Sequence, residues 1–126
     1  MPRGHLLTTR GRKSGRLRTQ PVAIVELEGR RCLVAPYGTV SWVLNARAAG
    51  KVILRRRCTT RAYAVRELAS VEAGPVLKRY ASFPAPTRSA FQATKDSSVE
   101  DFIAEAGRHP VFELTPLDCD DPWSTL

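Results

Sequence analysis

A run of cationic side chains between two strand-like segments has the residue types and spacing of an anion-binding loop. The segment from Leu7 to Pro21 reads LTTRGRKSGRLRTQP. Its cations and glycines are Arg10, Arg12, Lys13, Arg16, Arg18, Gly11 and Gly15. Glycine adopts backbone angles that other residues avoid, so the intervening amides can turn toward a common point. An anion there would meet both amides and charged side chains, and the segment therefore predicts a phosphate-binding loop.

The same composition is also typical of a solvated surface loop between strands, and this alternative stays open on composition alone. The pattern matches neither of two common nucleotide-binding loops. A Walker A loop needs four residues between its glycines before Gly-Lys-Ser/Thr, and a Rossmann turn reads GxGxxG. A phosphate in this loop would therefore be held in another way.

Size and charge narrow the possible partners. The 126 residues fit one domain, spanning 1–126, with a loosely ordered tail at 117–126. Twenty Lys and Arg against twelve Asp and Glu give a net charge of +8, which favours an anionic partner. Nucleic acid, an acidic membrane surface and a small polyanion all satisfy that charge.

Cysteine and histidine spacing argues against a metal site. Cys32, Cys58 and Cys119 are widely separated and odd in number, and neither His5 nor His109 has a partner at metal-ligand spacing. Unpaired cysteines predict a cytoplasmic protein. Cys32 lies in an apolar run, which predicts a small core residue rather than a nucleophile. No apolar run reaches the roughly 20 residues of a spanning helix, so no stable membrane insertion is expected.

Alternating and helical periodicities predict the elements that position the basic loop. Strands are expected at 5–9, 18–26, 31–36, 51–57, 61–68 and 109–115. Helices are expected at 40–49, ending at Gly50, at 76–81 after Pro75 in the first turn, and after a Ser97/Glu100 capping box as far as Gly107. Pro21 predicts a bulge or an edge position within its strand.

This order of elements predicts a mainly β fold with some α: a small barrel of about six antiparallel strands, with helices packed outside and across one end. The regular alternation that a parallel βαβ sheet requires is missing. Arg55, Arg56 and Arg57 are interpreted as a solvated edge strand that resists strand pairing, with ligand binding as the alternative.

Three segments together resemble the deazaflavin-dependent nitroreductase family: LLTTRGRKSGRLRTQPV, VAPYG at 34–38 and SWVLNARAAG at 41–50. The segment RHPVFELTP at 108–116 is similar to that family's closing strand. The resemblance implies a split β-barrel of the FMN-binding-like class. It also implies coenzyme F-420, an 8-hydroxy-5-deazaflavin, as the cofactor in preference to FMN.

The resemblance also implies roles for individual residues. It places the phosphate of the cofactor tail on Arg12, Lys13, Ser14, Gly15 and Arg18, and the deazaflavin ring between Pro21 and the segment Ala35, Pro36, Tyr37 and Gly38. Trp42 and Asn45 match helix residues of the family signature. Trp42 is equally well explained as a core anchor, and Asn45 as a hydrogen-bond donor to a neighbouring carbonyl. Many relatives carry a lysine where Tyr37 stands here, which changes the substrate side of the pocket.

The leading hypothesis is an oxidoreductase that transfers hydride from reduced coenzyme F-420 to a small electron-poor acceptor, such as a quinone, an activated alkene or a nitroaromatic. The segment from Tyr80 to Phe91 would act as a lid, with Tyr80, Phe83 and Phe91 as its cover. Tyr80 is the candidate proton donor, although its usual pKa of about 10 makes a packing role equally plausible.

Two other classes of function stay open. One is a non-catalytic protein that binds F-420, a flavin or a lipid-like ligand. The other is a nucleic-acid binder, which only the charge favours and for which no recognition motif is present, so no nucleic-acid partner is expected. Split-barrel relatives are often dimers, and the resemblance therefore includes a homodimer among the expected states.

Overall fold

The structure is a computed structural model that describes residues 3–82, 93 and 96–118, with the backbone alone at 3 and 4. The strands in this part of the chain are β1 (Arg3–Arg10), β2 (Leu17–Leu27), β3 (Arg30–Val34), β4 (Lys51–Arg56), β5 (Thr59–Glu67) and β6 (Val111–Pro116). The helices there are α1 (Ser41–Ala49), α2 (Ser70–Ala81) and α3 (Val99–Glu105), which continues into a 3₁₀ turn at Ala106–Arg108.

The strands close into an antiparallel barrel in the order β1-β2-β3-β6-β5-β4. The predicted fold class is therefore confirmed, including the β1-β2-β3 meander and the β4-β5 hairpin. The β2-β3 turn consists of Glu28 and Gly29, with φ angles of 52° and 78°. Two successive positive φ angles are the geometry that matches the twist of a two-residue hairpin.

Alternation along the strands produces two packed clusters in the described part of the chain. The inner cluster fills the barrel and includes Leu7, Ile24, Leu33, Val52, Leu54, Tyr63 and Phe112, together with Trp42, Val43 and Ala46 of α1. Helix α1 therefore covers one end of the interior. The outer cluster includes Val25, Cys32, Val111, Leu77 and Phe102, and it joins α2 and α3 to the outer face of β2, β3 and β6.

The environment of Cys32 agrees with the predicted core role. Its side chain is fully buried, and burial followed by the neighbouring Glu113 carboxylate raises the pKa of the thiol to about 11. A thiol with so high a pKa carries little thiolate at neutral pH and is a poor nucleophile.

Helix α1 ends as the sequence predicts. Gly50 has φ 72°, in the left-handed region, and its amide donates to the Ala46 carbonyl at 2.8 Å. A side chain at this C-cap would be strained, so glycine is the preferred residue. Arg47 near the end of the helix makes two 2.7 Å hydrogen bonds to the Glu67 carboxylate of β5. These contacts fix α1 against the strand wall.

Helix α2 begins at Ser70, so the prediction that it starts at Pro75 is wrong. The Glu72 carboxylate accepts a hydrogen bond from the Ala69 amide at 3.3 Å and defines an earlier N-terminus. Pro75 removes one helical hydrogen bond within α2. Burial of Ala73 and Gly74 offsets that loss, since this face of α2 packs closely against α3.

Two other predicted boundaries shift. The capping box of α3 uses Ser98 and Asp101 rather than Ser97 and Glu100, with both reciprocal hydrogen bonds at 3.3 Å. Strand β6 starts at Val111 rather than His109, because Pro110 has no amide hydrogen for the ladder. In the tail, the Leu117 amide still donates to the Ala62 carbonyl at 2.9 Å, and residues 119–126 lie outside the described part of the chain.

The edge-strand interpretation of the arginine run is wrong for Arg55, because this residue pairs with Leu6 of β1 on one side and with Thr60 of β5 on the other. Of the two alternatives predicted for Pro21, a bulge or an edge position, the structure supports the edge position. The β1-β2 register runs without a bulge through Pro21, while pairing of β2 with β3 begins only at Ile24.

Among the described residues, no helix combines the length and the apolar character needed to cross a membrane.

The α2-α3 contact gives a stability prediction. A methyl group at Gly74 would overlap the Ile103 side chain and approach the Val99 carbonyl, whereas a methyl group at Gly107 would meet open space. We expect Gly74→Ala to lower the free energy of unfolding by about 1–3 kcal/mol, the usual cost of overpacking. Gly107→Ala is the matched control and should change it by less than about 0.5 kcal/mol. Urea unfolding measures the stability of both variants. Equal free energies of unfolding would contradict the predicted overlap at Gly74.

Candidate cofactor site

A cavity of about 560 Å³ opens at the end of the barrel where α1 lies. It is bounded by the basic loop between β1 and β2, the last turn of α1 and the first residue of β4. Its lining residues are Arg10, Gly11, Arg12, Lys13, Ser14, Gly15, Asn45, Ala48, Ala49 and Lys51. Arg10, Arg12, Lys13 and Lys51 supply positive charge, and no carboxylate is among these lining residues. The cavity is therefore suited to an anion.

The loop is closed by its own backbone. The Gly11 amide donates to the Arg16 carbonyl at 2.7 Å, and the Gly15 amide donates to the Gly11 carbonyl at 2.9 Å. Gly15 has φ 73°, which favours glycine. A Cβ atom at Gly11 would lie 2.8 Å from Ser14 Oγ and 3.2 Å from the Arg16 carbonyl oxygen, so a side chain there would force the turn to adjust.

Two amides of the loop are available to a ligand. Within the described part of the chain, the amides of Lys13 and Ser14 make no hydrogen bond, whereas those of Gly11, Arg12 and Gly15 are all used. The glycines were predicted to turn several amides toward one point. The structure uses the glycine amides to close the loop, and of the three amides between them only that of Arg12 is bonded, to Asn45.

Asn45 of α1 holds the loop in place. Its Oδ1 atom accepts from the Arg12 amide at 3.1 Å and from Arg12 Nη1 at 2.9 Å, and its Nδ2 atom donates to Thr9 Oγ1 at 3.5 Å. The side chain is only 3% exposed. A buried amide with these three bonds joins the helix, the strand and the loop. Asn45 therefore lines the cavity and also positions Arg12.

The predicted ring-binding segments lie at the same end of the barrel. Pairing between β2 and β3 stops at Ile24 and Leu33, so Pro21 on β2 and residues 35–38 after β3 occupy the unpaired continuations of two adjacent strands. Gly38 has φ 93°, and Tyr37 is 65% exposed. The unpaired stretch leaves strand edges that a flat ligand can approach.

Several predicted site residues do not line this cavity. Arg18 lies exposed on β2 opposite Thr9, and Pro21 and residues 35–38 lie beyond the cavity's lining. Trp42 is 8% exposed and packs on Phe112 of the inner cluster, with ring centroids 6.0 Å apart, as the core-anchor alternative predicts.

Tyr80 is 5% exposed within the outer cluster, which supports its packing alternative, and its role as a proton donor stays a prediction. The lid prediction covers residues 80–91. Its members Phe83 and Phe91 lie outside the described residues.

The sequence interpretation missed Lys51 as a site residue and named Arg10 only as one cation of the loop. Both belong to the cavity because β1 and β4 are adjacent and antiparallel, which brings the end of β1 beside the start of β4. The sequence feature that could have indicated Lys51 is its position directly after Gly50, where α1 ends. It could be used only once the pairing of β1 with β4 was known.

The sequence interpretation also missed a buried histidine–glutamate pair. His109 Nε2 lies 2.8 Å from Glu105 Oε1, and the two side chains are each 4% exposed. His109 Nδ1 donates to the Pro36 carbonyl at 2.7 Å, because a carbonyl can only accept. His109 Nε2 and Glu105 Oε1 therefore form a buried hydrogen bond. The pair holds the segment 35–38 in place through the bond to the Pro36 carbonyl. In the sequence, the pair was indicated by the four-residue spacing of Glu105 and His109.

Comparison with known proteins agrees with this geometry. The family model of the F420H(2)-dependent quinone reductases matches residues 1–100. A solved F420-H2-dependent reductase, FDR-A, is 25% identical, with TM-score 0.61 over 89% of this chain and 93% of its own. A structure described as a domain-swapped dimer is 26% identical, with TM-score 0.63 over 91% and 82%. A NimC/NimA family protein from Clostridium acetobutylicum shares the fold at 19% identity and TM-score 0.56, over 89% and 73%. No protein of curated function matches the chain significantly.

The fold and the family match thus define a split-barrel oxidoreductase that uses a deazaflavin. The chain belongs to the F420H(2)-dependent quinone reductase family, and its cofactor is coenzyme F-420. The residues present fit the acidic tail of this cofactor, because the described lining combines four cationic side chains and two unbonded amides and contains no carboxylate. The resemblance to deazaflavin-dependent enzymes seen in the sequence is confirmed.

Removal of the Asn45 amide should loosen the loop. We expect Asn45→Ala to lower the free energy of unfolding by about 1–3 kcal/mol, because the Arg12 amide loses its partner. The affinity for F-420 should fall about tenfold as the loop becomes mobile. Ser41→Ala, an exposed position of the same helix, is the control and should change neither quantity. Chemical denaturation and fluorescence titration measure the two effects, and a fully stable, tight-binding Asn45→Ala protein would exclude the positioning role.

The histidine–glutamate pair gives a second stability prediction. Glu105→Ala removes the partners of His109 Nε2 and of the Ala93 amide, which donates to Glu105 Oε2 at 2.8 Å. The loss of two buried bonds should cost about 2–4 kcal/mol of unfolding free energy. Glu105→Gln can bond both groups and should cost less. Thermal unfolding of the two variants tests this order, and the reverse order would refute the assigned bonding.

Proposed function

We propose that this protein reduces small electron-poor molecules, such as quinones, activated alkenes or nitroaromatics, with reduced coenzyme F-420 as the electron donor. The observation that carries the proposal is a cavity whose described lining has four cationic side chains, two unbonded amides and no carboxylate. The family assignment supports the same class of reaction. The name of the family makes a quinone the first acceptor to test.

Arg12, Lys13, Ser14 and Gly15 would hold the phosphate of the cofactor tail, assisted by Lys51 and Arg10. Lys13 and Ser14 offer their amides, and the cationic heads supply charge-assisted hydrogen bonds. Asn45 would keep Arg12 in position for this contact. Arg18 is included on the family resemblance, since its side chain lies outside the cavity's lining.

The deazaflavin ring would lie across the unpaired edges formed by Pro21 on one side and by Ala35, Pro36, Tyr37 and Gly38 on the other. When bound, the cofactor supplies hydride to the acceptor, and the protein supplies binding, orientation and the exclusion of water. The His109 bond to the Pro36 carbonyl would fix the backbone of this wall. Trp42 would act indirectly, by seating α1 against the inner cluster.

The location and assembly of the protein are further proposals. Cys32 and Cys58 are free, which supports the reducing environment of the cytoplasm. A related structure described as a domain-swapped dimer supports a homodimer as the state to test. Size-exclusion chromatography with light scattering would distinguish a dimer from a monomer.

An oxidation assay tests the reaction. The purified protein is mixed with reduced F-420 and menadione, and reoxidation of the cofactor is followed by its absorbance. Acceptor-dependent oxidation above the rate without protein is expected. Cofactor binding without any acceptor-dependent oxidation, across a quinone, an activated alkene and a nitroaromatic, would favour the carrier alternative.

Single charge removals test the assignment of the phosphate site. Lys13→Ala should weaken F-420 binding at least tenfold, because a charge-assisted bond contributes about 1.5–3 kcal/mol. Arg16→Ala removes the same charge from an exposed loop residue outside the cavity's lining and should leave the affinity within about threefold. Arg18→Ala tests the role taken from the family resemblance. Fluorescence titration at constant ionic strength measures all three, and equal effects of Lys13→Ala and Arg16→Ala would mean that only overall charge matters.

A further inference from the structure

The end of the barrel opposite α1 has a histidine and three arginines where the strand pattern calls for apolar residues. Leu7, Leu33, Leu54 and Tyr63 belong to the inner cluster. The next inward-facing positions on the same strands lie two residues closer to this end of the barrel. They are occupied by His5, Arg31, Arg56 and Arg61, respectively. Small barrels usually fill their interior with apolar side chains. This barrel therefore ends in a basic mouth.

The basic mouth encloses a cavity of about 320 Å³. Its lining residues are His5, Arg31, Leu54, Arg56, Arg57, Thr59, Arg61 and Tyr63. Four arginines thus line one small space, and none of the described residues that line it is a carboxylate. Within the described part of the chain, Arg56, Arg57 and Arg61 have no carboxylate within 4.0 Å. A bound anion would lower the mutual repulsion of these cations.

Arg31 is held in an orientation that leaves one donor unused. Its Nη1 atom donates to the Tyr63 hydroxyl at 2.6 Å, and its guanidinium lies 5.7 Å from the centre of the Tyr63 ring. Its Nε atom is 3.5 Å from Glu26 Oε1 but makes no hydrogen bond, although the atom is buried. The Glu26 side chain is 69% exposed and so neutralises the mouth only weakly. A buried, unsatisfied N–H group in a fixed guanidinium is a donor ready for a ligand.

Arg57 occupies an unfavourable backbone position at the rim. It has φ 56° in the two-residue turn between β4 and β5, a conformation that favours glycine or asparagine. Arg55 Nε donates to the Arg57 carbonyl at 3.1 Å and supports the turn. A positive φ angle also occurs at Glu28 of the β2-β3 turn, so hairpin geometry accounts for this conformation, and glycine at position 57 would adopt it more easily.

We propose that the basic mouth is a second binding site, which takes a small phosphate-bearing molecule. Planar guanidinium groups bind phosphate oxygens in bidentate pairs, and several of them can share one doubly charged phosphate group. A single carboxylate has too few oxygens for four guanidinium groups. The cavity lies at the end of the barrel interior, which suits a compact solute rather than a nucleic-acid strand.

This site is separate from the cofactor cavity. His5 lines the basic mouth and Arg10 lines the cofactor cavity, and the two residues are five positions apart on β1, or about 17 Å along the strand. The second site does not depend on the proposed function, since none of its residues is assigned to coenzyme F-420.

A nitrogen-15 NMR titration with inorganic pyrophosphate, at about 0.15 M ionic strength, tests the proposal. Shifts are expected at the amides of Cys58 and Thr59 and at Arg31 Nε. They should persist in Lys13→Ala/Arg18→Ala, because that variant alters only the cofactor end. In Arg57→Gln/Arg61→Gln, which removes the same amount of charge, pyrophosphate affinity should fall at least tenfold while F-420 affinity stays unchanged. Shifts confined to residues 11–16, or equal affinities in the two double variants, would overturn the proposal.

Arg57→Gly separates binding from folding. Glycine relieves the positive φ angle, so the melting temperature should rise by about 2–5 °C. The same change removes one guanidinium and should weaken pyrophosphate binding several-fold. A variant that is more stable and yet binds as tightly as the original protein would exclude Arg57 from the site. A variant that loses stability would show that the arginine is present for folding rather than for a ligand.

Discussion

The architecture of the cofactor end depends on one buried amide. Asn45 bonds simultaneously to the Arg12 backbone, the Arg12 side chain and the Thr9 hydroxyl, so a helix, a loop and a strand meet at a single side chain. The loop otherwise consists of exposed, mutually repelling cations. Its shape is maintained because the glycine turn closes on itself and because α1 is fixed by Gly50 at its end and by the Arg47–Glu67 contact at its side. Packing of Trp42 in the inner cluster holds the whole helix in place.

Local signals predicted much of the fold. The Glu28–Gly29 turn, the Gly50 helix end and the alternation of the strands each depend on neighbouring residues, and each is found in the structure. The predictions were wrong where contacts between residues distant in the sequence determine the structure. Helix α2 continues through Pro75 because α3 packs on Gly74, and Arg55 is paired on both sides because the barrel closes through β1 and β4.

The candidate site was predictable in part for the same reason. The basic loop is contiguous in sequence, so its charge and glycines are visible without a structure. Lys51 and the Glu105–His109 pair join the site only through strand adjacency and through the bond to the Pro36 carbonyl. Asn45 was identified by family resemblance, but its bonding to Arg12 required coordinates, since the two residues are 33 positions apart.

The burial of Trp42 has an optical consequence. The indole lies against Phe112 at the end of the barrel that holds the cofactor cavity, on the same helix as Asn45. Its emission occurs at wavelengths where a deazaflavin chromophore absorbs. In a Trp123→Phe variant, which leaves Trp42 as the one indole of the chain, excitation-energy transfer would therefore report the distance between helix and chromophore without any attached dye.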